Sequence, residues 1–104
     1  MSTVYIVQDS PGKNFLPAKN YGELRVLLSP HDTELGINDI AEKLHQKLSS
    51  IKSDDYLLLV GDPAIIGIVS AIALDLTDGC LNLLRWNRSR YEYIVERVEE
   101  IWQK

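Results

Sequence analysis

Cysteine is nearly absent: Cys80 is the single one in 104 residues. It has no intrachain partner for a disulfide, so a reducing compartment, the cytoplasm, is the expected setting. A basic excess is missing as well. Eleven Lys and Arg stand against fifteen Asp and Glu, a formal net charge of −4. That balance argues against nucleic acid or an anionic membrane as the main partner. The opening MSTVYIVQDSPGK has neither a basic stretch nor an apolar core, so no signal peptide is expected. No apolar run reaches the roughly 20 residues that cross a bilayer. The longest, Pro63 to Leu74, is bracketed by Asp62 and Asp75 and reads as a core helix.

The motifs of common chemistries are missing too. Neither G-x-G-x-x-G nor G-x-x-x-x-G-K-[ST] occurs, and no nucleophile elbow is present. No cofactor, metal or catalytic residue is therefore expected, and the balance leans away from an enzyme. What remains is an ordinary globular composition, 45% hydrophobic and 25% charged, enough for one core in a single α/β domain over residues 1–104.

Thr3 to Val7 is rich in β-branched and aromatic residues and reads as a strand. The next segment, residues 8–22, carries two prolines and two glycines and should be irregular. Loops this long in a small domain are commonly functional. Glu23 to Leu28 reads as a second strand. Ile37, Ile40, Ala41, Leu44, Leu48 and Ile51 then recur at helical spacing, giving a helix over about 38–52 with Asn38 or Asp39 as its cap. Tyr56 to Val60 is a continuous apolar run, the pattern of a strand buried on both faces. A second helix, about 63–77, is apolar nearly all round and stops at Asp78-Gly79. Such a helix leaves apolar surface for a second copy to cover, so a homodimer is expected. Leu81 to Trp86 is a fourth strand.

Two readings of the tail compete. Tyr91, Ile94, Val95, Val98, Ile101 and Trp102 match helical spacing. Yet Tyr, Ile and Val dominate its first half, and Asn87-Arg88-Ser89-Arg90 suits a hairpin turn. The hairpin, with a second strand over about 91–97, is preferred. The sum is a mixed sheet of four to five strands with two helices and a C-terminal β-hairpin. The first and last strands are expected as antiparallel neighbours of a parallel centre.

Four places compete as sites. Gly61-Asp62-Pro63 joins a strand end to a helix start, where α/β proteins bind small ligands or nucleotides. Each of its residues also has a structural role: Gly61 for the turn, Asp62 as N-cap, Pro63 at the first helical position. The structural reading is preferred, partly because Asp62 would repel a phosphate. His31, Asp32 and Glu34, with His45 beyond them, lack the clustered partners of a metal or acid–base site. Cys80 opens an apolar strand and is expected as a buried, inert thiol. Arg85, Trp86, Arg88, Arg90 and Tyr91 form the densest basic and aromatic group, suited to an acidic partner surface or to single-stranded nucleic acid.

The order Phe15-Leu16-Pro17-Ala18, Tyr21-Gly22-Glu23-Leu24-Arg25-Val26-Leu27, Asp55-Tyr56-Leu57-Leu58-Leu59-Val60-Gly61-Asp62-Pro63, Ile66-Gly67 and Leu84-Arg85-Trp86 resembles a set of small proteins of tailed bacteriophages. These are notably short-tailed phages, marine and cyanobacterial ones among them. The specific block is YLLLxGDPxxIG followed by an L-x-W hairpin. Where that set has Asp after the tryptophan, this chain has Asn87. The resemblance favours the hairpin and implies a host-cell cytoplasmic setting. It carries over no activity and no functional residue. The leading expectation is a small non-enzymatic phage protein that binds or inhibits a host protein during infection. The alternative is a small-ligand or nucleotide binder, or an enzyme, at the Gly61-Asp62-Pro63 junction.

Overall fold

The computed structural model describes residues 2–102. Five strands, β1 (Thr3–Gln8), β2 (Glu23–Leu28), β3 (Tyr56–Leu58), β4 (Leu81–Asn87) and β5 (Glu92–Val98), form one sheet in the order β2-β1-β3-β4-β5. The first four run parallel and β5 is antiparallel to β4. Two helices, α1 (Ile37–Lys47) and α2 (Pro63–Leu76), complete the mixed α/β fold with its C-terminal hairpin.

The first strand corrects an expectation. β1 is not an antiparallel neighbour but an inner parallel strand, flanked by β2 and β3. The reason is the path of residues 9–22. This segment does not turn back; it crosses the sheet, folding into a 3₁₀ turn over Leu16–Asn20 whose Ala18 is fully buried. Right-handed crossovers then fix which layer goes where. β1 to β2 moves one way across the sheet, while β2 to β3 and β3 to β4 move the other way. Opposite directions put the connections on opposite faces.

The core divides accordingly. On one face Tyr5, Val7, Leu57 and Leu81 pack under Ile40, Leu44 and Leu48 of the first helical unit and Ile65, Val69, Ile72 and Ala73 of α2. On the other, Val4, Ile6, Leu58, Leu84 and Tyr93 meet Phe15, Ala18 and Tyr21 from the crossing segment. Alternate residues of each strand therefore face different layers. Each fully buried Leu contributes about 1.5–3 kcal/mol of apolar burial.

Element ends differ in instructive ways. α1 is shorter than the apolar spacing suggests, ending at Lys47, and its N-cap is Gly36 rather than Asn38 or Asp39. Leu48 and Ile51 are buried, but from a turn in which the Ile51 N–H bonds to the Leu48 carbonyl. Core contact, not helix, sets that part of the pattern. β3 spans three residues, because the Val60 N–H turns back onto the Leu58 carbonyl. α2 ends at Leu76, where the Thr77 hydroxyl bonds to the Ala73 carbonyl. Asp78 and Gly79 both take left-handed backbone, with φ of 54° and 79°, and the Gly79 N–H caps the Leu74 carbonyl. The all-round apolar α2 is not covered all round: Ala64, Gly67 and Ala71 face outward. β5 begins at Glu92, since Tyr91 has a φ of 52° and lies in the turn.

Among the described residues no helix is long and apolar enough to cross a membrane.

Candidate functional site

Two features can carry function, and both use the segment after β1. The first is the hairpin tip. Strand alternation separates the five residues singled out there. Arg85 shares the helix face with Leu83 and pairs with Glu96 across the strands, Nη2 to Oε2 at 2.6 Å. Arg90 sits 3.6 Å from Glu92, and its N–H donates to Asn87 Oδ1 at 3.1 Å. Asn87 therefore shapes the turn, a task that an aspartate would perform equally. Trp86 lies on the opposite face. Its ring meets Tyr93 edge-on at 5.0 Å and Tyr91 at 6.5 Å. Tyr91 is 80% exposed and Trp86 41%. The exposed Arg88 guanidinium has no ion-pair partner among the described residues. The structure thus unites Trp86 and Tyr91 at the tip that carries Arg88, and ties Arg85 and Arg90 to carboxylates.

Tyr93, missed in the sequence, completes the aromatic group. Together with Trp86 it walls a pocket of about 270 Å³ whose other sides are Gly12, Lys13, Asn14, Pro17, Leu58, Leu59 and Val60. Burial pushes the Tyr93 phenol above its ordinary value, and its carbonyl accepts the Tyr21 hydroxyl at 3.2 Å. The loop and the hairpin, read separately in the sequence, build one surface. No local signal could have joined them.

The second feature is a cleft of about 580 Å³ at the carboxyl ends of β1 and β3, lined by Gln8, Asp9, Ser10, Pro11, Lys13, Pro30, Leu59, Val60, Gly61, Asp62 and Ile66. Its rear wall is a clasp. Gln8 is buried, and its Oε1 accepts the Asp62 N–H at 3.0 Å. Gly61 has a φ of 120° and packs directly on the Gln8 side chain. Asp62 caps α2, its Oδ1 accepting the Ala64 N–H at 2.8 Å, with Pro63 at the first helical position. Asp62→Ala should therefore cost about 1 kcal/mol in chemical denaturation, with the fold retained. A loss near zero would deny the cap.

A family model described as Phage Pam3 gp32-like protein matches residues 2–99. The chain belongs to this family. No curated protein and no solved structure matches it. Membership in the Pam3 gp32-like family makes this a phage protein, in line with the resemblance to tailed-phage sequences.

The remaining candidates of this Pam3 gp32-like protein have structural surroundings. Asp32 accepts the Ser29 N–H at 2.8 Å and the Lys43 ammonium at 2.9 Å. Those two bonds, the backbone one foremost, hold its carboxyl below the usual range. His31 and His45 are exposed. Among the described residues no three His, Cys, Asp or Glu side chains are grouped to hold a metal ion. Cys80 corrects an expectation: it is half-buried rather than buried, because the chain is leaving the left-handed turn at Asp78-Gly79 and only Leu81 enters the core.

Proposed function

We propose that this Pam3 gp32-like protein is a non-enzymatic interaction protein that binds, and thereby inhibits, a host protein in the host-cell cytoplasm during infection. The observation that carries the reading is the aromatic face of the hairpin continuing into the pocket between Trp86, Tyr93 and Pro17. A pocket walled by rings, with further exposed aromatic surface beside it, is the kind of place where a partner's apolar side chain anchors. Lys13 at the pocket and the unpaired Arg88 at the tip are cations on a chain of net charge −4. They favour an acidic partner surface and would steer its approach.

The test pairs capture with substitution. Tagged protein expressed in host cells should retain a stoichiometric partner, and Arg88→Glu with Trp86→Ala should weaken that capture at least about tenfold. Arg88 lies in the exposed turn, so Arg88→Glu alone should move the thermal midpoint little and serves as the control, while Trp86→Ala removes a ring packed on Tyr93 and should lower the midpoint with the fold retained. Undiminished capture would sink the hairpin as the contact. Competition by single-stranded DNA, with a steep salt dependence, would point instead to nucleic acid.

A further inference from the structure

The cleft between β1 and β3 shares Lys13, Leu59 and Val60 with the aromatic pocket but otherwise has its own lining, and it occupies the position at which open α/β sheets bind ligands. The connection leaving β1 crosses one face of the sheet, and the one leaving β3 enters α2 on the other. Chains parting to opposite faces open a crevice at the strand ends, and there the strand order reverses. The cleft of about 580 Å³ lies in that crevice, within the size range of small-molecule sites.

A second observation is independent of topology. Gln8 is only 7% exposed, an uncommon place for an amide side chain. Its Oε1 is engaged by the Asp62 N–H. Its Nε2 bonds to nothing among the described residues, and no side-chain nitrogen or oxygen there is fully buried without a partner, so this donor keeps access to solvent on a residue that lines the cleft. A buried side chain held by one end, with its other end offered to a cavity, is a pre-positioned hydrogen-bond donor.

The rest of the lining defines the ligand. Pro11, Pro30, Leu59 and Ile66 supply apolar wall for a flat ring. Asp9 supplies an acceptor for ligand hydroxyl or amino groups, and Ser10 supplies both donor and acceptor. Charge then selects among flat, hydroxylated molecules. Two carboxylates, Asp9 and Asp62, stand against one ammonium, Lys13. The Asp62 carboxylate also occupies the N-terminus of α2, where a phosphate would otherwise be held. A phosphorylated ligand meets repulsion on both counts. We propose that the cleft is a binding site for a nucleoside-type ligand, a base with its sugar and no phosphate.

The experiment is an NMR titration of the isotope-labelled full chain with adenosine, cytidine and uridine, and with their 5′-triphosphates. At least one nucleoside should give saturable shifts centred on the amides of Gln8, Asp9, Ser10, Gly61 and Asp62, and its triphosphate should bind at least about tenfold more weakly. Asp9→Asn, an exposed change at a strand end, should weaken the nucleoside while narrowing its advantage over the triphosphate. The proposal is overturned if no nucleoside gives a saturable shift at millimolar concentration. Shifts confined to Trp86, Tyr91 and Tyr93 would overturn it too, as would a triphosphate that binds as tightly as its nucleoside. Host-protein capture is measured apart from these titrations, so either reading can fail alone.

Discussion

Gly61→Ala is expected to remove about 3 kcal/mol of stability and to deform the cleft. The backbone at Gly61 has a φ of 120°, outside the regions open to a residue with a Cβ. A Cβ built there lies 2.6 Å from Gln8 Oε1 and 2.7 Å from Gln8 Cβ. The amide end of Gln8 could swing aside, at the loss of its bond to the Asp62 N–H. Its Cβ cannot move, because it is fixed to β1, a strand paired on both sides. Strain and overpacking each cost about 1–3 kcal/mol, and both act here. Gly67 on α2 is the control, since a Cβ there meets nothing within 4 Å. Gly67→Ala should stabilise by about 0.5–1 kcal/mol through helix propensity. Urea denaturation of the two variants should therefore move the midpoint in opposite directions. A Gly61→Ala midpoint within error of the parent would show that the residue is an ordinary turn glycine.

The same joint shows how far a local reading reaches. Gly61-Asp62-Pro63 was legible as turn, cap and first helical residue because each role depends on near neighbours. The Asp62 Oδ1 to Ala64 bond is that cap. What was hidden is the partner: Gln8, at the end of another strand, makes Gly61 irreplaceable and turns a joint into the wall of a cleft. The hairpin was legible for a similar reason. Turn-forming Asn87 to Arg90 and the β-branched stretch after it act over a few residues, and they outweighed a helical periodicity running through the same tail.

The placement of β1 was not legible. Whether a strand pairs parallel or antiparallel is decided by the route of the chain after it, and residues 9–22 look like loop. Their only deep anchors are Ala18, with Phe15 and Tyr21 packed against the sheet, too sparse a pattern to reveal a crossing layer. With β1 misplaced, the reversal of strand order beside it stayed out of sight, and so did the Gln8 side of the cleft, although the Gly61-Asp62-Pro63 side stood among the candidates. The helical stripe of α1 misled in the opposite direction. Leu48 and Ile51 keep the spacing but reach the core from a turn, since the spacing records burial and only indirectly records helix.

Asp55 is the residue whose importance the sequence hides most completely, and Asp55→Ala is expected to cost about 3 kcal/mol. Ser53-Asp54-Asp55 looks like solvated loop, yet Asp55 is only 5% exposed. Its Oδ1 accepts the Thr3 N–H at 2.9 Å and its Oδ2 the Lys52 N–H at 2.9 Å. Its carbonyl accepts the Asn82 N–H at 3.3 Å. One residue thus ties the starts of β1 and β4 to the turn before β3. Alanine keeps the carbonyl bond but strands two backbone donors whose acceptor was charged, and bonds to charged groups are worth about 1.5–3 kcal/mol each. Asp55→Asn should cost less, because its remaining oxygen can still serve Thr3 while its NH₂ opposes the Lys52 N–H. A second readout follows from Tyr5. Its phenol is raised above its ordinary value by burial first and by the negative charge of Asp55 second. Removing that charge should lower the Tyr5 value, leaving burial, which raises it, opposed by the Arg25 guanidinium, which lowers it. Alkaline spectrophotometric titration of Asp55→Asn, the variant better able to stay folded, reads this directly. The sign for stability follows: a phenol raised in the folded state favours folding less as pH climbs past the ordinary tyrosine value, so the parent should lose stability there faster than the variant. Equal alkaline slopes, or a stability cost below about 1 kcal/mol for Asp55→Ala, would mean that Asp55 is a surface loop residue after all.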